Sequence, residues 1–295
     1  MILKADLHNH SCLSPCASLE MSPALIAARE RAAGVNVGAL TDHNAAFNVP
    51  AFALSCAREG VLPFFGMELN PREEAHLLVL FAAPRLALEF ARRVVAPLLP
   101  SIPLRPDVFG DQVVVDADET ILSFYDLWLG SALDASFDEL ARLAARAGAL
   151  VIPAHVDRPA MSVYSQLGFL PAGPYDAVES IGPIPVSLSR DFAVISDSDA
   201  HYPEHIARRP FQIELPDEPV AELQSALFQF ARCELSYGDS INSDVPPTSL
   251  FDFLLNSDLV NTYPEKQALD LISGFRTALH GKNVKPTHVS RPLVS

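Results

Sequence analysis

The sequence predicts an α/β protein, built either as one barrel or as two ordinary domains from its 295 residues. Short apolar runs alternate with helix-patterned stretches, which implies parallel strands joined by right-handed crossovers. A composition of 49% apolar and only 19% charged residues indicates a well-buried core and not a disordered chain. Residues able to bind metal recur where the predicted strands end.

The first strand follows from Met1-Ile2-Leu3 and leads into Asp6-Leu7-His8-Asn9-His10. Ser22-Pro23 supplies an N-cap and an N1 proline for a helix over Ala24–Ala33, which Gly34 stops. Val35–Leu40 is a buried strand ending at Thr41-Asp42-His43-Asn44. A second helix runs to Glu59 and stops at Gly60. Val61–Phe65 then leads to Gly66-Met67-Glu68, and Ala75-His76 opens the apolar run Leu77–Phe81. Between Pro84 and about Phe137 the pattern is irregular. A helix follows Pro84, prolines 100, 103 and 106 interrupt, and Gln112–Val115 reads as a strand. Ser136-Phe137-Asp138-Glu139 has capping-box spacing for the next helix. Ala149–Ile152 leads to His155, Ala177–Glu179 and Ala193–Ile195 are short strands, and the latter precedes Ser198-Asp199-Ala200-His201. Phe211–Leu215 and a helix over Ala221–Ala231 complete the pattern. We place a barrel unit at residues 1–232, with an irregular insertion at about 84–137. A polar C-terminal extension follows at 233–295, with one helix over Pro264–Leu279.

Composition excludes several functions. A net charge of −15 argues against a broad footprint on long nucleic acid. No apolar run approaches the roughly 18–20 residues needed to cross a bilayer. The N-terminus enters Lys4 and Asp6 without a basic-then-apolar leader, which argues against secretion. Four cysteines in a long acidic chain are not a disulfide framework. A cytoplasmic protein of unknown oligomeric state is the expectation.

His8 and His10 are two apart on a strand and so face the same way, able to converge on one point. His43, His76, His155 and His201, with Glu68 and Asp199, share the same strand-edge setting. Each alone would be an ordinary hydrogen-bonded residue; together they read as ligands of one metal site. Imidazoles with bridging carboxylates suit Zn, Mn or Fe. His205, His280 and His288 are read as surface residues, and Cys12 as packing.

The segments Asp6-Leu7-His8-Asn9-His10-Ser11, Leu40-Thr41-Asp42-His43-Asn44, Gly66-Met67-Glu68, His76, Pro153-Ala154-His155 and Ser198-Asp199-Ala200-His201 resemble the successive motifs of the PHP (polymerase and histidinol phosphatase) family. The resemblance runs over roughly residues 1–215 and is nearest to its small stand-alone bacterial phosphoesterases. It implies a distorted (β/α)7 TIM-like barrel with two or three divalent ions at the C-terminal ends of the strands. Carried over, His8, His10, Glu68 and Asp199 surround one ion. Glu68 bridges to a second ion held by His76 and His155. A third is held by His43, His201 and a side chain from the loop after His10. At that last place the family commonly has Asp five residues after the second histidine, or His six after it; here stand Pro15 and Cys16. Either Cys16 ligates as a thiolate, favouring softer ions, or it is a packing residue and the third ion is weak or missing.

The implied activity is hydrolysis of a small phosphomonoester, a nucleotide or sugar phosphate, by metal-activated water. His201 or His43 is the acid for the leaving group if the third ion is absent. Asp6 and Asp42 are placed to accept the outer N–H of a ligating imidazole. Arg158 is the first candidate to bind substrate phosphate, ahead of Arg208 and Arg209. The competing readings are a phosphodiesterase acting on oligonucleotides and a non-catalytic, metal-stabilised ligand-binding module.

Overall fold

Helix starts and stops obey the local chemistry. In this computed structural model, which describes residues 1–182, 188, 191–233 and 247–286, Ser22 Oγ accepts from the Leu25 N–H at 3.0 Å and opens helix α1 (Pro23–Ala32). Gly60, at φ +73°, closes α2 (Val49–Glu59), a conformation that glycine adopts without strain.

Strands β1 (Ile2–Asp6), β2 (Val37–Leu40) and β3 (Leu62–Leu69) are parallel neighbours, as the βα rhythm requires. The expectation of parallel pairing fails next. β4 (Leu77–Phe81) is antiparallel to β3, because only residues 70–76 connect them and a parallel crossover needs a dozen or more. Gly66 permits the close approach of these two strands: a Cβ there would lie 2.0 Å from the Val79 carbonyl oxygen. The insertion follows β4. It holds α3 (Pro84–Phe90), α4 (Pro106–Phe109) and a hairpin of β5 (Val113–Val115) with β6 (Ile121–Phe124). Ser136 then caps α5 (Phe137–Arg146) through its hydroxyl.

β7 (Leu150–Pro153) is antiparallel to β4 and so runs in the direction of β1–β3. Beyond a short α6 (Val163–Leu167), the parallel pair β8 (Ala177–Glu179) and β9 (Ala193–Ile195) joins β7 through Asp176 N–H to Val151 O, 2.9 Å. The loop after β9 returns to β1, with His10 N–H donating to Ala200 O at 2.9 Å. β10 (Phe211–Glu214) pairs antiparallel with β1 and, on its other side, with β11 (Val284–Pro286), giving a curled seven-stranded sheet ordered β11-β10-β1-β2-β3-β4-β7. The architecture is a distorted TIM-like α/β barrel.

The described part of the C-terminal extension packs on this barrel. After α7 (Asp217–Phe230) come α8 (Pro247–Leu255), α9 (Asp258–Asn261), α10 (Glu265–His280) and β11 (Val284–Pro286), which pairs with β10. Phe275 of α10 is fully buried, edge-on to Phe64 of β3 with ring centroids 5.1 Å apart. His280, read as a surface residue, is exposed and reaches Asp176 Oδ1 at 3.0 Å beside Arg276. Residues 234–246 and 287–295, with His288, lie outside the described residues. Among the described residues no helix is long and apolar enough to cross a membrane.

Candidate metal centre

The strand directions bring the expected ligands to one end of the barrel. His8 and His10 follow β1, His43 follows β2, Glu68 ends β3, and His155 follows β7. His76 precedes β4, but that strand runs backwards, so its beginning lies at the same end. Asp199 and His201 follow β9.

Glu68 is buried at the middle of five imidazoles. Its Oε1 lies 2.8 Å from His76 Nδ1, 2.9 Å from His155 Nε2 and 3.4 Å from His8 Nε2; its Oε2 lies 3.2 Å from His10 Nε2 and 3.3 Å from His43 Nδ1. Burial opposes its ionisation, but His76, His8 and His43 outweigh that and hold its carboxyl well below the usual range. Asp199 Oδ1 is 3.6 Å from both His8 Nε2 and His10 Nε2, and is buried without a hydrogen-bond partner.

The outer ring nitrogens decide which lone pairs face inward. His8 Nδ1 lies 2.9 Å from Glu179 Oε2, a pure acceptor when ionised, so this nitrogen carries the proton and Nε2 keeps its lone pair. His10 Nδ1 lies 3.0 Å from Ser14 Oγ, whose own proton goes to Asp42 Oδ1 at 2.7 Å. His10 Nε2 is therefore also a lone-pair atom. The two Nε2 atoms are 3.1 Å apart, with carboxylate oxygens of Glu68 and Asp199 around them. Four such atoms repel one another unless positive charge, a proton or a metal cation, lies among them; burial opposes protonation of His8 and His10, but the surrounding carboxylates outweigh it and raise both imidazoles. The residues fit a metal.

Among the described residues, three donor sets have atoms within 4.8 Å of one another: His8, His10, Glu68 and Asp199; His43, Glu68 and His76; and His10, Cys16, His43 and His201. The first matches the set carried over from the resemblance. The second contains His43 where the resemblance places His155, although His155 touches the same Glu68 oxygen as His76. The third brings Cys16 to His43 and His201 from an exposed position on the loop. Burial, followed by the positive field of His10, pushes His201 down to about 3, and burial holds His43 well below the imidazole range. Both are neutral lone-pair donors at pH 7.

Three expected contacts differ. Asp6 reaches no imidazole; it is buried and accepts the Ser198 and Ala207 N–H groups at 2.8 and 3.0 Å, fixing the Asp199 loop. Asp42 acts on His10 only through Ser14. Arg158 donates from Nη1 to Asp199 Oδ2 at 2.9 Å, so part of its guanidinium holds a ligand and not a substrate. Arg208 and Arg209 are spent on the carbonyl oxygens of Asp197, Ser198 and Asp199. They brace a loop in which Asp199 sits at φ +47°, a conformation costly for a non-glycine residue. His155, at φ +29°, is strained likewise.

Sequence reasoning missed Glu179 and Ser14. Glu179 ends β8 as Glu68 ends β3, so the strand-end rule applied to carboxylates would have selected it. Ser14 gave no signal of its own, since its role depends on the fold of the loop after His10.

Strand-end imidazoles and carboxylates thus gather around shared oxygens at one end of an α/β barrel, in a cluster able to hold metal. Residues 6–95 match the family model described as the PHP domain. In fold it is similar to the lesion-specific endonuclease PfuEndoQ from Pyrococcus furiosus, at 20% identity and a TM-score of 0.56, over 78% of this chain and 56% of that one. It is also similar to Endonuclease Q in complex with a 27-mer duplex substrate with an abasic lesion at the active site, at 20% identity and a TM-score of 0.53, over 77% of this chain and 56% of that one. This chain thus spans little more than half the length of these two proteins. No curated protein matches it.

Proposed function

We propose that this protein hydrolyses a small phosphate monoester with two or three divalent cations, Zn, Mn or Fe, at this centre. The reading rests above all on the two facing Nε2 lone pairs of His8 and His10 beside Glu68 and Asp199. His8, His10, Glu68 and Asp199 would hold one cation, and Glu68, His76 and His155 a second. His43, His201 and Cys16 would hold a third. Such cations supply Lewis acidity toward phosphoryl oxygens and acidify water near neutral pH.

The chain's own residues orient and complete the site. Glu179 and the Ser14–Asp42 pair fix the tautomers of His8 and His10. Arg158 stays anchored to Asp199 by Nη1, and the rest of its part-exposed guanidinium is within the chemistry needed to fork a phosphate oxygen. His201 and His43, which burial keeps unprotonated, suit a third cation better than the role of acid toward the leaving alkoxide. Four free cysteines, one of them among the donors, suit a reducing cytoplasmic setting.

Phosphodiester cleavage is the competing reading, because the two fold relatives named above are endonucleases. The charge of −15 weighs against a long duplex. Chelated protein reloaded with Mn, Zn or Fe and assayed on p-nitrophenyl phosphate and bis-p-nitrophenyl phosphate separates the readings. Preference for the monoester is the expected result. Preference for the diester favours the nuclease, and no turnover with any metal leaves a ligand-binding module.

A further inference from the structure

We infer that the alcohol of the substrate carries a planar aromatic base, as a nucleoside does, and that this base packs on a wall formed by Phe109 and Trp128; the inference rests on the phosphoester reading above. A cavity of about 210 Å³ is lined by Cys16, His43 and His76 together with Phe109, Trp128 and Asn70. The two rings are stacked, with centroids 5.0 Å apart and planes 20° from parallel. Phe109 remains 42% exposed although it carries a full aromatic face, so part of that surface stays open to a partner.

The wall is built and not incidental. Gln112 is fully buried and spans the loop beneath Trp128, donating to Leu127 O at 2.6 Å and accepting from the Leu129 N–H at 2.9 Å. Asn44, adjacent to His43, donates to Leu129 O at 2.8 Å and Ser131 O at 2.9 Å. The loop bearing Trp128 is thereby keyed to the loop bearing a metal ligand. Gly130 has no side chain to spare: a Cβ there would stand 2.9 Å from the indole. Trp128 Nε1 and Asn70 Oδ1 have no hydrogen-bond partner among the described residues, but both atoms are sealed from solvent, so recognition falls to the open aromatic face. A sugar phosphate has no ring to lay on that face.

Stacking of a base on an aromatic side chain strengthens binding roughly 5- to 100-fold. Trp128 is the chain's single tryptophan, so intrinsic emission reports on this wall directly. The metal-loaded full-length chain would be titrated with AMP, adenosine and ribose 5-phosphate. AMP and adenosine should change the emission and ribose 5-phosphate should not. In parallel, Phe109→Ala should lower the ratio of kcat/KM for AMP to that for ribose 5-phosphate by roughly 5- to 100-fold, through KM. Trp128→Phe, which keeps a ring in place, should lower it less. Equal handling of the two phosphates, silent emission and an unmoved ratio in Phe109→Ala would overturn the inference. Adenosine has no phosphate, so an emission change without turnover of any ester would defeat the phosphoesterase reading while leaving the wall intact.

Discussion

The carboxylate of Glu179 lies 2.9 Å from Nδ1 of His8, and both side chains are completely buried. The same Oε2 accepts the backbone N–H of His155 at 3.0 Å. One acid on β8 therefore orients an imidazole after β1 and fixes the strained backbone of a second after β7. Outer partners of this kind commonly contribute 10- to 100-fold to metal affinity. Glu179→Ala should weaken metal binding by about that factor, and Glu179→Gln, which retains an acceptor, by less. A competition titration against a chromophoric chelator measures it, with far-UV circular dichroism to show an intact fold. Unchanged affinity in Glu179→Ala would mean that His8 needs no such partner.

Cys16 stands where the resemblance leaves the third ligand open, and its Sγ lies within 4.8 Å of donor atoms of His10, His43 and His201. A packing cysteine would be buried, whereas this one is exposed at the edge of the cavity. Cys16→Ser should lower the metal-to-protein ratio by about one, as elemental analysis of unchelated protein would show, while the sites around Glu68 stay filled. Removing metal from the native chain should also make Cys16 newly reactive toward a thiol reagent, since metal no longer masks it. A ratio that does not change returns Cys16 to a structural role.

The candidate donors were readable because the histidines and carboxylates among them sit at strand edges, a position that one-dimensional patterns reveal. His8, His10, Glu68, Asp199 and Cys16 were found that way or by motif, and the structure gathers them. The readings that failed depended on chain reversal or on contacts between distant segments. The direction of β4 hung on the shortness of residues 70–76, which the alternating rhythm concealed. Asp6 looked like a partner for an imidazole because it lies next to one in sequence. Asp6, however, is the last residue of β1 and lies a step back, where the Ser198 and Ala207 N–H groups reach it. β6 was invisible because Ile121 and Phe124 are exposed and give no buried run. That Phe109 and Trp128 stack was not legible, because nothing along the chain says that residues 19 apart will meet.

Glu30 offers a test of burial away from the ligands. It lies on α1 with no exposed surface; Oε1 accepts from Asn9 Nδ2 at 3.1 Å, and Oε2 has no partner. Burial, reinforced by the nearby charge of Asp6, pushes its carboxyl well above the value of 4.5 it has when solvated. An acid raised on folding favours the native state fully at pH below its unfolded value. That contribution is lost progressively as pH climbs through the native value. Glu30→Gln keeps the shape and an acceptor but cannot ionise, so it escapes this loss. Its melting temperature relative to the native chain should therefore rise between pH 5 and pH 8, in thermal melts at matched ionic strength. A difference that stays constant across that range would show that Glu30 titrates normally.

The C-terminal extension supplies a wall of the core, and Phe275 is where this can be measured. Its ring meets Phe64 of β3 edge-on at 5.1 Å and Phe211 of β10 at 6.4 Å, with no surface left exposed. Phe64 sits only four residues before Glu68, on the same strand. Truncating a fully buried phenylalanine costs about 3–5 kcal/mol, through lost transfer energy and the cavity that remains. Phe275→Ala should destabilise the chain by about that amount in urea unfolding, a large share of the usual 5–15 kcal/mol. It should do so in one cooperative transition followed alike by tryptophan emission and far-UV signal. A separate early transition of the helical signal, with the Trp128 signal unmoved, would instead make the extension an independent unit resting on the barrel.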